Sequence, residues 1–256
     1  MDLVSFRLLT SALLIILSAP LQSESLEEFF PSFEQTLGEL MEFSEVPGVS
    51  AAVIHEGELV WKRAFGFRDR EARSPVQIDT RFRIESITKT FTARAAWQMS
   101  EQSLISLDEP VNSRISRWSI PDSAYDDQEV TLRRLLSHSS GITGGRDFSR
   151  PEGPRPPVEQ VLRGGHGFDE AELIHEPGER FRYANQGYMI VELLIEELSG
   201  MGFAEFLERE VLQGRAVYAE DVDKDRTAVS YDIDGRPVPF YTDSFRGAGG
   251  LFMSAE

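Results

Sequence analysis

A serine and a lysine lie three residues apart where the chain changes from an alternating pattern to a helical one. Residues 81–85 alternate in the manner of a short strand, and Thr90–Met99 has the apolar spacing of a helix. Ser86 therefore falls at or near the first helical turn, with Lys89 on the same face. Free N–H groups and the helix dipole at this position favour an oxyanion. The pair is a candidate nucleophile and base, and the alternative is a capping serine beside a solvated lysine.

A second polar cluster precedes a strongly apolar helical pattern at about 188–198. The segment Glu176–Tyr188 contains a Pro-Gly turn, a short aromatic stretch and the triplet Tyr183-x-Asn185. A tyrosine on such a turn can exchange a proton with a nearby serine, and the asparagine can hydrogen-bond a substrate amide. The alternatives are a packed aromatic side chain at Tyr183 and an ordinary helix N-cap at Asn185.

The order of these motifs, Ser86-x-x-Lys89 and then Tyr183-x-Asn185, resembles the penicillin-recognising serine hydrolases. The resemblance is to the branch of class C β-lactamases, D-alanyl peptidases and related esterases, and it covers the chain from about Leu26 to the last residue. Further segments resemble the same family: the hairpin at 49–69, Leu-Leu-Ser-His-Ser-Ser-Gly-Ile at 135–142 and the Gly-Gly-Leu segment within 247–256.

The resemblance implies an α+β fold of the β-lactamase/transpeptidase type, in which helices flank an antiparallel sheet and a helical subdomain is added. It implies that Ser86, Lys89 and Tyr183 are catalytic and that Asn185 binds substrate, with no cofactor and no metal. The expected partner is a small-molecule or peptide substrate. Because β-lactams, D-alanyl peptides and esters all use this nucleophile, the substrate class stays open.

One motif of that family is absent from this sequence. A Lys-Thr-Gly or His-x-Gly triplet normally follows the Gly-Gly-Leu segment, and no lysine or histidine after Asn185 begins one. We therefore expect residues 24–256 to be an incomplete domain without its last strands and closing helix. The hairpin would then have an unpaired edge and an uncovered apolar face. The function is either that of a serine hydrolase working through an acyl-enzyme or that of an inactive, ligand-binding remnant.

Composition and the N-terminal sequence restrict the possible partners and the cellular location of the protein. A net charge of −17 disfavours nucleic acid and anionic membranes as partners, and 41% hydrophobic residues are typical of a globular chain. Without cysteine there is no disulfide, lipid-carrying cysteine or thiolate metal site. An apolar stretch at 8–17, with Arg7 before it, predicts an export signal over about residues 1–23 and a periplasmic or secreted protein. The alternatives are an uncleaved membrane anchor and an ordinary buried helix.

The remaining elements are a helix over Leu26–Phe43, a hairpin of strands 49–54 and 58–67, and a short helix at Leu132–Leu136. The segment Gly144–Gly167 is rich in glycine, proline and arginine and predicts a mobile loop. We expect the arginines of this segment to be solvated, and the alternative is that they bind an anionic group: Arg146, Arg150, Arg155 and Arg163.

Two other site chemistries have weak support. A Ser-His-Asp hydrolase could use His138 beside Ser139 and Ser140, but a G-x-S-x-G elbow is absent. In the resembled family this segment is structural and packs near the site. A metal site would have to use residues without compact ligand spacing, namely His166, Asp169, Glu170 and His175.

Overall fold

The computed structural model describes residues 26–145, 149–150, 155–243 and 245–256. Its first strands are β1 (Gly48–His55) and β2 (Glu58–Asp69), which pair antiparallel. Glu56 and Gly57 between them both have positive φ, as a tight two-residue hairpin turn requires. The predicted hairpin is thus confirmed.

This hairpin belongs to a three-stranded sheet of order β1-β2-β3, where β3 is Ser74–Pro75. Within the described chain, β1 is an edge strand of that sheet. Ile54 and Leu59 beside the turn are exposed, at 71% and 49%. The hairpin therefore presents apolar side chains at its tip.

The helix α1 (Leu26–Phe43) has the bounds that the sequence predicts. It belongs to a compact unit of its own, which ends at Val46, and the rest of the chain from Pro47 forms the second unit. The rings of Phe29 and Phe33, one helical turn apart, stack at 5.7 Å between centroids. The predicted export signal precedes this helix and lies outside the described residues.

A second antiparallel sheet carries the segment that leads into the candidate nucleophile. Its order is β4-β8-β6, with β4 at Phe82–Arg83, β8 at Leu251–Met253 and β6 at Ala216–Tyr218. The strand predicted over 81–85 is thus only two residues long. Because β4 pairs with β8, the chain just before Leu251 passes close to the residues that follow Arg83.

The helices of the second unit build the core. They are α2 (Thr88–Glu101), α3 (Leu132–Leu136), α4 (Val158–Leu162), α5 (Asn185–Ser199) and α6 (Phe203–Leu207). The central helix is α5, since every residue from its start to Ile195 is buried. A helix that is apolar nearly all round must be covered on all sides, and α2, α3, α4 and α6 pack against it. The predicted α3 and α5 are confirmed.

The prediction of a loop over Gly144–Gly167 is wrong in part. This segment contains α4 and the two-residue strand β5 (Ser149–Arg150), which pairs with β7 (Thr242–Asp243). Burial of Val158, Val161 and Leu162 stabilises α4, although the local composition is that of a loop.

Helices and antiparallel sheets together confirm the predicted α+β class. In the described part of the chain, no helix is long and apolar enough to cross a membrane.

Candidate active site

Ser86 lies in a 3₁₀ turn, Glu85–Ile87, directly before α2. The preceding Glu85 has a left-handed backbone with φ of 43°, a conformation that is uncommon outside glycine. The helix N-cap is Ile87 and no side chain caps α2, so the alternative of a capping serine is wrong. The turn places the Ser86 hydroxyl at the positive end of the α2 dipole.

Lys89 is buried in the first turn of α2, with 5% of its surface exposed. Its Nζ donates to Ser86 Oγ at 3.1 Å and to the carbonyl oxygen of Ala248 at 2.7 Å. The same Nζ lies 4.9 Å from the centre of the Tyr183 ring and 5.6 Å from that of Tyr188, within range of cation–π attraction. The alternative of a solvated lysine is therefore wrong.

Tyr183 reaches the same hydroxyl from the segment before α5. Its OH donates to Ser86 Oγ at 2.7 Å, and 45% of the residue is exposed. Its ring lies 4.4 Å from that of His138 between centroids. Tyr183 is thus a half-exposed residue whose hydroxyl faces the nucleophile, and the alternative of a simply packed aromatic does not describe it.

His138 holds the backbone on both sides of Tyr183. Its Nδ1 accepts the N–H of Ala184 at 3.2 Å, and its carbonyl oxygen accepts the N–H of Arg182 at 2.7 Å. Burial and, secondly, the charge of Lys89 lower the pKa of His138, which favours the neutral ring that can accept this bond. His138 therefore holds the backbone that carries Tyr183 and does not form a Ser-His pair.

Asn185 is the first residue of α5, so the cap position falls on Ala184 and the alternative of an N-cap at Asn185 is wrong. Asn185 and Ser86 both line a cavity of about 340 Å³ beside the nucleophile. The other lining residues are Glu85, Tyr241, Asp243, Phe245, Ala248 and Gly249. An acyl substrate can enter here next to both Ser86 and Asn185.

One wall of this cavity was missed by sequence reasoning. Arg83 forms an ion pair with Asp243, and its guanidinium lies 3.9 Å from the centre of the Tyr241 ring. The Tyr241 hydroxyl donates to Glu85 Oε1 at 2.9 Å. Burial raises the pKa of Asp243 to about 6, with Arg83 opposing that rise and Glu85 adding to it. Only the adjacency of Glu85 to Ser86 indicated this wall, since Tyr241 is 156 residues further on.

Neither Arg155 nor Arg163 lines this cavity, although the charge of Arg155 opposes the rise in the pKa of Asp243 in its wall. The side chain of Arg150 lies outside the described part of the structure. Arg155 pairs with Glu220 at 3.1 Å, and Arg163 donates to the carbonyl oxygen of Arg117 at 2.7 Å. Arg146 lies outside the described residues. Among the residues that the structure covers, no group of three potential metal ligands is found.

A sequence profile described as Beta-lactamase matches residues 33–256. The chain belongs to the beta-lactamase family. One relative is a penicillin-binding protein of Bacillus subtilis, which is 28% identical over 179 residues. These residues make up 69% of this chain and 37% of that protein. The protein flp of Staphylococcus aureus is 22% identical over 162 residues. The chain spans 37% and 32% of the lengths of these two curated relatives.

Solved structures of the family share the fold. The octameric penicillin-binding protein homologue from Pyrococcus abyssi has a TM-score of 0.68 and 29% identity, over 88% of this chain and 54% of that one. The penicillin binding protein from Bacillus halodurans has a TM-score of 0.64 and 26% identity, over 86% of this chain and 69% of that one. These similarities confirm the predicted β-lactamase/transpeptidase-like fold.

Proposed function

We propose that this protein is a serine acyl hydrolase that works through a covalent acyl-enzyme at Ser86. The observation that carries the proposal is the meeting of two proton-exchanging groups on one hydroxyl, since Lys89 Nζ and Tyr183 OH lie 3.1 and 2.7 Å from Ser86 Oγ. A serine is a weak nucleophile until a neighbouring group takes its proton. Both distances are within the reach required of a general base.

In the proposed reaction, Ser86 Oγ attacks the carbonyl carbon of an ester or amide held in the 340 Å³ cavity. Either Lys89 or Tyr183, in its deprotonated form, accepts the Ser86 proton and then passes it to the leaving group. The backbone N–H of Ser86 stabilises the negative charge on the carbonyl oxygen, and Asn185 orients the substrate. Water then attacks the ester bond to Ser86 and releases the acid, with the same groups returning the proton.

The family membership supports this proposal in general terms, and the site geometry supports the residue roles. The substrate class is one of three with the same reacting carbonyl: a β-lactam, a D-alanyl peptide or a simple ester. The cavity wall offers carboxylates, a phenol and an aromatic ring, from Glu85, Asp243, Tyr241 and Phe245.

Intact-mass spectrometry after incubation with a fluorophosphonate, a penicillin or a p-nitrophenyl ester tests the proposal. We expect a single adduct with the fluorophosphonate that is lost in Ser86→Ala. Ser139→Ala is the matched control, because Ser139 also carries a hydroxyl near His138 but bonds Ser137 at 2.9 Å and not Ser86. An adduct with penicillin favours the β-lactam and D-alanyl peptide classes, and an adduct with the ester alone favours the ester class.

Two results would overturn the proposal. One is an adduct that persists in Ser86→Ala at wild-type level. The other is a wild-type chain that shows a cooperative melting transition yet forms no adduct with any of the three probes. The second result would favour a ligand-binding protein without turnover.

A further inference from the structure

Glu192 is an ionisable side chain buried in the middle of α5, with 4% of its surface exposed. Its Oε2 accepts two backbone N–H groups, those of Arg246 at 2.8 Å and Gly247 at 2.7 Å. Glutamate is rarely buried so completely, because removing its charge from water is costly unless specific donors compensate. The proposed hydrolytic steps do not use this side chain, so its presence requires another explanation.

The segment that Glu192 holds also holds the candidate base. The carbonyl oxygen of Gly247 accepts the Thr92 hydroxyl at 2.7 Å, and that of Ala248 accepts Lys89 Nζ at 2.7 Å. Thr92 and Lys89 are on the buried face of α2. The segment is therefore bound to α5 through its N–H groups and to α2 through its carbonyl groups.

The spacing between this segment and α5 leaves no room for adjustment. A Cβ atom at Gly247 would lie 2.6 Å from the carbonyl oxygen of Tyr188 and 3.0 Å from Cβ of Glu192. Only glycine permits so close an approach of the backbone. The two Glu192 bonds and this close contact together hold Gly247, and with it Ala248, against α5.

We propose that Glu192 is a positioning residue, which through Gly247 and Ala248 fixes Lys89 Nζ beside Ser86 Oγ. The inference rests on the proposed function in one respect, namely that Lys89 takes part in the reaction of Ser86. Glu192 itself touches neither the nucleophile nor the substrate cavity. Its effect passes through one short backbone segment, each contact of which is 2.7 or 2.8 Å long.

The charges around Glu192 give a signature that a structural role alone would not. In the described chain, the groups that act on it electrostatically are Arg155, Glu196 and Tyr218. Burial raises the pKa of Glu192 from 4.5 to about 7, while the Gly247 N–H and then Arg155 oppose the rise. The folded protein thus binds this proton more tightly than the unfolded chain. Ionisation of Glu192 as the pH rises through about 7 therefore removes stability.

A neutral replacement should consequently separate stability from reactivity. At pH 8 we expect Glu192→Gln to melt no lower than wild type, because it removes a buried charge. We expect the same variant to react with the fluorophosphonate roughly ten- to a hundred-fold more slowly at Ser86, the size of effect associated with losing charge-assisted hydrogen bonds. A residue that only stabilises the fold would not show this combination of unimpaired melting and slower reaction at Ser86.

Glu197→Gln is the matched control on the same helix. Glu197 also accepts backbone N–H groups, from Ser116 at 3.2 Å and Arg117 at 2.8 Å, and neither of these residues lines the candidate cavity. We expect its Ser86 labelling to equal that of wild type. Equal slowing in both variants would show a general loosening of α5 and would overturn the positioning role.

A second readout follows Lys89 without relying on catalysis. The chain has three lysines, and acetic anhydride labelling with peptide mass spectrometry measures Lys89 relative to Lys62 and Lys224. We expect Lys89 to be protected in wild type and to become several-fold more reactive in Glu192→Gln. Unchanged protection of Lys89 together with unchanged Ser86 labelling would overturn the proposal.

The two readouts keep the proposals distinguishable. If wild type is not labelled at Ser86, the proposed function fails, and Lys89 acetylation alone decides the role of Glu192. If Glu192→Gln does not fold, NMR of the wild-type amides of Arg246 and Gly247 decides it. A change in Lys89 protection that follows the titration of these two amides supports the role, and Lys89 protection that stays constant across their titration overturns it.

Discussion

Replacing Tyr183 by phenylalanine removes one hydroxyl from the candidate site and leaves the ring in place. The ring contacts with His138 at 4.4 Å and with Lys89 Nζ at 4.9 Å do not need the hydroxyl. The bond lost is the one from Tyr183 OH to Ser86 Oγ at 2.7 Å. Because Tyr183 is 45% exposed, water can replace part of that bond in the folded state. We therefore expect a loss of unfolding free energy of about 1 kcal/mol or less.

The expected effect on reactivity is much larger. A positioned group that exchanges a proton in the transition state contributes roughly 10²–10⁴-fold to a rate. Tyr183→Phe should slow the acylation of Ser86 by that factor, which corresponds to about 3 to 5 kcal/mol of activation free energy. The contrast between a small stability change and a large rate change identifies a chemical role for the hydroxyl.

Quenched-flow labelling with the fluorophosphonate, read by intact-mass spectrometry, measures the rate constant for phosphonylation of Ser86, which needs the same removal of the Ser86 proton as acylation does. Thermal melting measures stability. Tyr231→Phe is the matched control. The Tyr231 hydroxyl accepts the Arg70 N–H at 2.8 Å, so its removal costs a hydrogen bond of similar length outside the candidate site. We expect Tyr231→Phe to react at the wild-type rate.

A proton-transfer role for Tyr183 is excluded if Tyr183→Phe reacts within about threefold of wild type while Ser86→Ala does not react at all. Lys89 would then be the sole proton acceptor, and the short Tyr183–Ser86 bond would only orient the nucleophile. Slowing of similar size in Tyr231→Phe would instead show that the assay reports a change in the whole fold.

Two further predictions concern stability. Leu135→Ala removes a fully buried side chain and should lower the free energy of unfolding by about 2–5 kcal/mol in urea titrations. Ile233→Ala, at an 88% exposed position, is the control and should lower it by under about 0.5 kcal/mol. A smaller loss at Leu135 than at Ile233 would contradict the packing described. His138→Asn, which tolerates the positive φ of that residue, removes a ring whose pKa is lowered by burial and by the charge of Lys89. Since the neutral ring contributes stability that is lost as the pH falls below about 6.5, wild type should lose stability relative to His138→Asn between about pH 7 and pH 5, and parallel stability curves would rule this source out.

Local elements were predictable because their signals lie within the segments themselves. α1 and α3 have the predicted bounds, and α5 extends the predicted apolar pattern by three residues at its start. Apolar residues repeated at helical spacing define a buried face whatever the element later packs against. The hairpin of β1 and β2 was predicted from its resemblance to the first hairpin of the family, with Glu56 and Gly57 between the two strands.

The helix α4 shows where such reasoning fails. Val158–Leu162 follows Pro157 in a stretch rich in glycine, proline and arginine, and five residues are too few to be helical on their own. Val161 and Leu162 are fully buried. Burial against the rest of the unit stabilises this helix, and no local pattern reports that burial.

The same division applies to the candidate site. The proximity of Ser86 and Lys89 could be predicted from their spacing alone, because residues three apart are neighbours in a helical turn. Tertiary structure decided that Tyr183, 97 residues later, and Ala248, 159 residues after Lys89, meet them there. These contacts depend on α2 and α5 packing together around a segment held by Glu192. The physical reason is that burial of apolar surface sets such packing, and it acts between residues that are distant in the chain.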